Sequence, residues 1–158
     1  MSSRRGFLFK LGLALNVVGA ALVGIPVIGF ITAPMRRAGG QSWIQVGSVA
    51  NFPEGETRLA IYRNPVSVEW DGATANTACW VRHVQGDRFQ VFAVNCTHLG
   101  CPVRWLPEAN LFLCPCHGGV YNKDGTVAGG PPPRPLVQYS VRVQNDQVQV
   151  LAGESPLA

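Results

Sequence analysis

A run of 23 residues without a charged side chain, positions 11–33, divides this chain of 158 residues into two unequal parts. A helix rises ~1.5 Å per residue, so the run is roughly 35 Å long and exceeds the bilayer core of about 30 Å. The sequence therefore predicts a transmembrane helix over residues 11–33, with a kink at Pro26. The residues after 41 remain for one folded domain.

A positively charged segment precedes the run. Residues 1–10 contain the adjacent Arg4 and Arg5, then hydrophobic residues and Lys10. This pattern is similar to the twin-arginine export signal, with an ordinary positively charged signal region as the alternative. The run ends directly at Pro34 without a convincing cleavage motif, so we expect an uncleaved single-pass anchor. Export would leave the N-terminus in the cytoplasm and the head outside a bacterial cytoplasmic membrane.

The net charge of +4 comes from the flanks of the apolar run. Five of the 13 basic residues lie there, which leaves eight basic and nine acidic side chains in residues 40–158. A protein that binds nucleic acid needs a basic face to neutralise phosphates. The charge distribution therefore indicates a membrane and argues against a nucleic-acid partner.

The rest of the chain has a β pattern. Residues 34–41 lack apolar periodicity and predict a flexible neck, with its hinge at Arg36, Arg37, Ala38, Gly39 and Gly40. Beyond them, short segments rich in β-branched and aromatic residues predict strands. These segments are 42–47, 57–63, 66–72, 79–84, 88–95, 137–143 and 147–151. We expect an all-β head over residues 42–158, an antiparallel β-sandwich or barrel with a loop subdomain at 95–135.

Residues 95–135 carry two boxes of metal-binding residues. Box 1 is Cys96-Thr-His98-Leu-Gly-Cys101, and box 2 is Cys114-Pro-Cys116-His117. A zinc site and a framework of disulfides alone are alternatives, but neither accounts for a histidine and two cysteines in each box. A centre of two inequivalent metals does, with two thiolates on one and two imidazoles on the other. With two thiolates the oxidised centre is neutral and accepts an electron more readily than a centre with four thiolates. Its reduction potential is therefore higher, about −150 to +300 mV against about −400 mV.

The two boxes resemble those of Rieske 2Fe-2S proteins, specifically of quinol-oxidising cytochrome bc and bf complexes. The likeness covers nearly the whole chain: one N-terminal anchor, an export signal, a glycine-bearing neck, a β-rich head and a proline loop after box 2. It implies one 2Fe-2S cluster, with ligands at Cys96, His98, Cys114 and His117.

The second cysteine of each box has a different implied role. Cys101 and Cys116 match a disulfide that ties the two cluster loops together in the family, and a disulfide agrees with export. Cytosolic Rieske ferredoxins and ring-hydroxylating oxygenases generally lack this pair, which disfavours them. Cys79 is left over and is predicted to be a buried, inert thiol. His83 lacks the box spacing and is predicted to be a structural or surface residue.

The resemblance also implies the function. The chain would be the electron-transfer subunit of a membrane quinol:cytochrome c or plastocyanin-type oxidoreductase, in a dimeric multi-subunit complex and without complete turnover alone. Its partners would be quinol, a cytochrome b subunit and a c-type cytochrome, with His117 as the catalytic contact to quinol and histidine protonation coupled to electron uptake. Implied shielding and quinol-site contacts are Leu99, Gly130, Pro131 and Pro132. The alternatives are a subunit of another exported redox enzyme, such as an arsenite oxidase, and a disulfide or zinc module acting in assembly.

Two residues of box 2 and its strand bear on the potential. Many ubiquinol and plastoquinol members have a serine where this chain has Gly119, and its hydroxyl donates to a bridging sulfide. Tyr121, which donates to a ligand cysteine sulfur in the family, is present. Because hydrogen bonds to sulfur stabilise the reduced state, we expect a lower potential suited to menaquinol, and a higher one in Gly119→Ser. Gly118 is expected to allow a tight turn.

Overall fold

The computed structural model describes residues 3–36, 42–65, 67 and 69–152. Contacts divide the chain into two compact units, residues 1–39 and 40–158, and each is described by itself. Of the predicted hinge, positions 37–40 lie outside the described residues. The hinge therefore remains a prediction.

The first unit is the helix α1, Arg4–Arg36, of 33 residues. Among the described residues it is the one helix long and apolar enough to cross a membrane. It begins before and ends after the predicted span of 11–33, so the first three residues of the predicted neck are helical. The predicted span ended at the charged residues because it was defined by the apolar run. Arginine and lysine favour helices, so the helix itself continues through these charged flanks. The N–H of Gly6 donates to Ser3 Oγ at 3.2 Å, which caps the first turn.

The described part of the second unit contains eleven short β-strands, all paired antiparallel. They are β1 Ser42–Ser48, β2 Thr57–Arg63, β3 Asn76–Gln85, β4 Arg88–Ala93, β5 Arg104–Leu106, β6 Leu111–Cys114, β7 Gly119–Asn122, β8 Val127–Gly129, β9 Gln138–Tyr139, β10 Val141–Gln144 and β11 Gln147–Ala152. They form three sheets, ordered β1-β11-β10, β2-β3-β4-β9 and β5-β6-β7-β8. The all-β prediction is confirmed.

Strand β4 joins two hydrophobic cores because its side chains alternate. Phe89, Val91 and Ala93 belong to the core between the first two sheets. Phe92 points the other way and enters a second core with the third sheet. There the fully buried Phe112 is the centre of an aromatic group, with its ring centroid 5.8 Å from that of Phe92 and 4.8 Å from that of Trp105. The third sheet is thereby fixed to the larger scaffold.

Three local predictions differ from the structure. Where a strand was predicted at 66–72, residues Glu69–Ala75 form 3-10 turns interrupted by a kink at Gly72, while Val66 and Val68 lie outside the described residues. Trp70 is 85% exposed, so this segment lacks the buried face that would hold it in a sheet. Residues 137–143 divide at Ser140 into strands of different sheets. The section 95–135, predicted as loop-rich, contains the four strands of the third sheet.

Candidate metal centre

Box 1 forms a closed loop between β4 and β5. The N–H of Cys96 donates to the carbonyl of Cys101 at 2.8 Å, and the N–H of Gly100 donates to the carbonyl of Cys96 at 2.9 Å. Gly100 has φ of 79°, in the left-handed region that glycine adopts at little cost. The side chain of Asn95 donates to the Gly100 carbonyl at 3.0 Å. These bonds hold the two cysteines and the intervening histidine on one rigid turn.

Box 2 forms the turn between β6 and β7, where Cys114 pairs with Gly119. The N–H of Gly118 donates to the Cys114 carbonyl at 3.1 Å, and Gly118 has φ of 69°. The prediction that Gly118 permits a tight turn is confirmed. The turn exposes Cys116 and His117 while Cys114 remains buried at the end of β6.

A disulfide between Cys101 and Cys116 joins the two boxes, with their Cα atoms 6.5 Å apart. This is the pairing that the family resemblance implies. The sulfurs of both residues lie within 4.8 Å of Cys114 Sγ, but a disulfide sulfur is not a thiolate and cannot serve as the same kind of metal ligand. Of these three sulfurs, only that of Cys114 is therefore a candidate ligand. The other buried thiol near the boxes is Cys96.

The rings of the two box histidines are in edge-to-face contact. Their ring centroids are 5.0 Å apart and the rings are nearly perpendicular, at 86°. Nδ1 of His98 is buried and has no hydrogen-bond partner among the described residues. A buried polar atom without a partner costs free energy, about 1–3 kcal/mol, unless a group absent from the protein chain satisfies it. A metal bound at this nitrogen would do so.

The environment of Cys96 favours its thiolate form. Although burial raises the pKa of this thiol, hydrogen bonds outweigh it and lower the pKa overall. They come from the hydroxyl of Tyr121, the backbone N–H groups of His98 and Leu99, and the thiol of Cys114. The Tyr121 hydroxyl lies 3.1 Å from Cys96 Sγ. Because a thiolate is the form that binds metal, these donors prepare Cys96 as a ligand.

The two boxes supply two buried thiols, one of them favoured as thiolate, and two neighbouring imidazoles, which offer two sulfur and two nitrogen donors. This set fits a 2Fe-2S cluster with both thiolates on one iron and both histidines on the other. A single zinc ion could also accept four such ligands, so the donor types alone do not separate the two kinds of metal site. The position of the donors in the fold is a second observation. The donors lie on two loops at the end of a small antiparallel sheet that is itself attached to a β-sandwich.

This fold and site define a class of electron-transfer protein, the β-rich domains that bind a binuclear iron–sulfur cluster through mixed ligands. The family model of the Rieske [2Fe-2S] domain matches residues 42–140. The chain belongs to the Rieske family and carries one 2Fe-2S cluster.

The relatives that this chain resembles are membrane-complex subunits. It is 33% identical over 145 residues to the cytochrome b6-f complex iron-sulfur subunit of Chlorobaculum thiosulfatiphilum, covering 92% of this chain and 73% of that one. It is 34% identical over 148 residues to the menaquinol:cytochrome c reductase iron-sulfur subunit of Bacillus subtilis, covering 90% and 87%. The solved plasma membrane Rieske protein of Synechocystis PCC 6803 aligns with a TM-score of 0.52 at 25% identity, covering 69% and 99%. With its apolar helix, the chain is a single-pass membrane protein.

The remaining predicted site residues occupy different environments. Leu99, which follows His98 in the sequence, is 69% exposed. Gly130 and Pro131 are exposed, whereas Pro132 is buried. Cys79 is completely buried in the first core, and burial raises its pKa to about 12. Leu99, Gly130 and Pro131 are thus available to a surface partner, whereas Pro132 is packed inside the head; the quinol contact itself remains a prediction.

His83 is structural, which was one of the two roles predicted for it. It is buried, with Nδ1 2.6 Å from the carbonyl of Phe52 and Nε2 2.6 Å from that of Gly86. Its ring stacks on Phe89, with centroids 4.2 Å apart. These contacts use both ring nitrogens, so His83 has none left for a metal.

Thr97 is a site residue that the sequence analysis missed. Its hydroxyl donates to the carbonyl of Arg134 at 2.6 Å, and its N–H donates to the Tyr121 hydroxyl at 3.0 Å. Thr97 therefore connects box 1 to strand β7 and to the proline segment, residues 129–134. Its place between two predicted ligands was the one available signal, since the partners are 24 and 37 residues away.

Proposed function

We propose that this chain is the electron-transfer subunit of a membrane quinol:cytochrome c oxidoreductase. It takes an electron from quinol at a cytochrome b subunit and passes it to a c-type cytochrome. The names of the two relatives, a cytochrome b6-f subunit and a menaquinol:cytochrome c reductase subunit, support this reaction. They give no support to the alternative of an arsenite oxidase subunit.

The observation that carries the proposal is the pair of edge-to-face histidine rings, which lie on the same two turns as two buried thiols. His98 Nδ1 is buried and has no hydrogen-bond partner within the described part of the chain, and His117 lies in the exposed turn of box 2. When bound, the 2Fe-2S cluster supplies one-electron transfer at a raised potential. An imidazole at the surface of such a site can exchange a proton with substrate, while the other donors stay shielded from solvent.

His117 is the proposed contact to quinol. Its exposed ring can accept a hydrogen bond from a quinol hydroxyl through the nitrogen that does not bind metal, and can then hold the proton. Leu99, also exposed, would supply apolar contact to the quinol ring or to the walls of the quinol site. The residues that would hold the cluster are Cys96, His98, Cys114 and His117.

Menaquinol is the proposed quinol. Gly119 contributes no hydroxyl to a sulfide, and a missing donor lowers the potential. A lower potential suits menaquinol, which is a stronger reductant than ubiquinol, and the Bacillus relative is named for menaquinol. The measurement is the oxidation rate of the assembled complex with menaquinol and ubiquinol analogues, and preference for the ubiquinol analogue would argue against this assignment.

The proposed arrangement places the N-terminus in the cytoplasm and the head outside the bacterial cytoplasmic membrane, within a dimeric complex. The support is the pair Arg4 and Arg5 before the apolar helix, which is similar to an export signal, and the Cys101–Cys116 disulfide, which persists in an oxidising compartment. The head would move between its partners on the predicted hinge at 36–40.

Replacement of His117 tests the function. In the complex purified from membranes, His117→Ala should abolish quinol oxidation and alter the electron paramagnetic resonance spectrum of the reduced cluster. Lys123→Ala, an exposed change on the same subdomain, should leave both unchanged. If His117→Ala retained the rate and the spectrum of the parent, the assignment would be wrong.

A further inference from the structure

The proline segment, residues 129–134, packs directly on the turn of box 2 at Gly119. Gly119 is buried, and a Cβ atom added to it would lie 2.6 Å from Cγ and 3.1 Å from Cδ of Pro132. A distance of 2.6 Å is well inside the van der Waals contact of two carbons, about 3.5–4.0 Å. The ring of Pro132 therefore occupies the space that any side chain at 119 would need.

Pro132 differs from its neighbours in this respect. Pro131 and Pro133 are exposed, whereas Pro132 is buried. A proline ring is also a poor group to displace, because it closes on the backbone nitrogen and cannot rotate away like a flexible side chain.

Other contacts of the segment limit its movement away from Gly119. Gly130 has φ of 85°, and a Cβ there would lie 2.6 Å from the carbonyl oxygen of Gly118, so the two backbones are in close contact. The Arg134 carbonyl accepts from the Thr97 hydroxyl at 2.6 Å. The N–H of Leu136 donates to the Gly125 carbonyl at 2.9 Å. The segment is thus held on both sides of Pro132.

We propose that Pro132 determines which residue is accepted at position 119, and so acts as a positioning residue that keeps a hydroxyl donor away from the cluster. Glycine at 119 and the buried ring at 132 are then one packing unit. This inference rests on the Rieske site and is independent of which quinol the complex oxidises. It changes the expectation for Gly119→Ser, because a serine there must first displace the proline segment.

The test is a cycle of Gly119→Ser, Pro132→Ala and the double variant, in the full chain with its cluster in detergent. Gly119→Ser should lower the thermal midpoint by about 4 °C or more and release iron to a chelator faster. The double variant should be more stable than Gly119→Ser alone, since alanine lacks Cγ and Cδ. Gly119→Ala should resemble Gly119→Ser in stability, because the clash is with Cβ and not with the hydroxyl.

Pro133→Ala is the matched control, since it also replaces a proline of the segment but an exposed one. It should not rescue Gly119→Ser. A potential higher than the parent should appear in the double serine variant and be absent from Gly119→Ala/Pro132→Ala, which has no hydroxyl. Equal stability of Gly119→Ser and the parent, or equal rescue by Pro133→Ala, would overturn the proposal. If Gly119→Ser does not accumulate, recovery of folded protein in the double variant supports it and failure to recover overturns it.

Discussion

The hydroxyl of Tyr121 lies 3.1 Å from Sγ of Cys96, and both residues are buried. The same hydroxyl accepts the N–H of Thr97 at 3.0 Å and lies 3.1 Å from Thr97 Oγ1, which gives its own proton to the Arg134 carbonyl. The tyrosine proton therefore has two acceptors, Cys96 Sγ and Thr97 Oγ1. A thiolate is the stronger acceptor, so the proton is directed to the sulfur when Cys96 is a metal ligand.

Removal of that hydroxyl should lower the reduction potential. Tyr121→Phe keeps the ring that fills the second core but loses a hydrogen bond of about 1 kcal/mol, which corresponds to about 40 mV for a one-electron couple. The measurement is a redox titration followed by electron paramagnetic resonance. Tyr139→Phe, in the other core, is the control and should leave the potential unchanged. An unchanged potential in Tyr121→Phe would show that the hydrogen bond from Tyr121 to Cys96 Sγ does not contribute to the reduction potential.

Loss of the disulfide should loosen the two boxes. Cys101 and Cys116 are separated by 15 residues in sequence, and closing a loop of that length is worth about 3 kcal/mol. Cys101→Ser/Cys116→Ser should therefore have a lower thermal midpoint and lose its cluster faster. A thiol reductant should destabilise the parent and leave the double variant unaffected; sensitivity of both would point to another target of the reductant.

Cys79 should be unreactive in the folded head. Burial raises its pKa to about 12, so at pH 8 about one molecule in 10⁴ carries the reactive thiolate. An alkylating reagent detected by mass spectrometry should modify Cys79 only after denaturation. Rapid modification of the native protein would contradict its burial.

The same shift predicts a pH dependence of stability. The unfolded thiol loses its proton near pH 9, whereas the folded thiol keeps it up to about pH 12. The contribution of Cys79 is therefore present below pH 9 and is lost as the pH rises from about 9 to 12. Cys79→Ala should show a shallower loss of stability between pH 8 and 10, measured by thermal melting. Parallel curves for the two proteins would exclude this contribution.

His83→Phe should destabilise the scaffold while retaining the stacking on Phe89. Phenylalanine leaves the buried carbonyl of Phe52 without its present partner, at a cost of about 1–3 kcal/mol, whereas the exposed Gly86 carbonyl can bind water instead. The thermal midpoint should fall, whereas the spectrum of the cluster should be unaffected because His83 belongs to the other core. The exposed Gln85→Ala is the control and should melt like the parent.

The strands that alternate over six or more residues could be predicted from sequence. β2 and β11 lie where the periodicity placed them, because each buries one face against the first core. The strands β5 and β8, of three residues each, are too short for such a pattern. They exist because they pair with the neighbouring strands β6 and β7 and because Phe112 packs on Phe92, which is 20 positions away in the sequence.

The sequence by itself determined the chemistry of this protein. The order of cysteine and histidine in two boxes, a 23-residue apolar run and a series of alternating segments indicated the cluster, the membrane helix and the β-rich head. All three are local patterns. They can be recognised in the sequence because ligand spacing, helix length and strand periodicity depend on neighbouring residues. Tertiary structure decided the contacts of these groups. Tyr121 lies at the Cys96 sulfur, Thr97 donates to the Arg134 carbonyl, and the ring of Pro132 fills the space that a side chain at Gly119 would need. These contacts join residues 13 to 37 positions apart, and only the folded packing of the sheet brings them together.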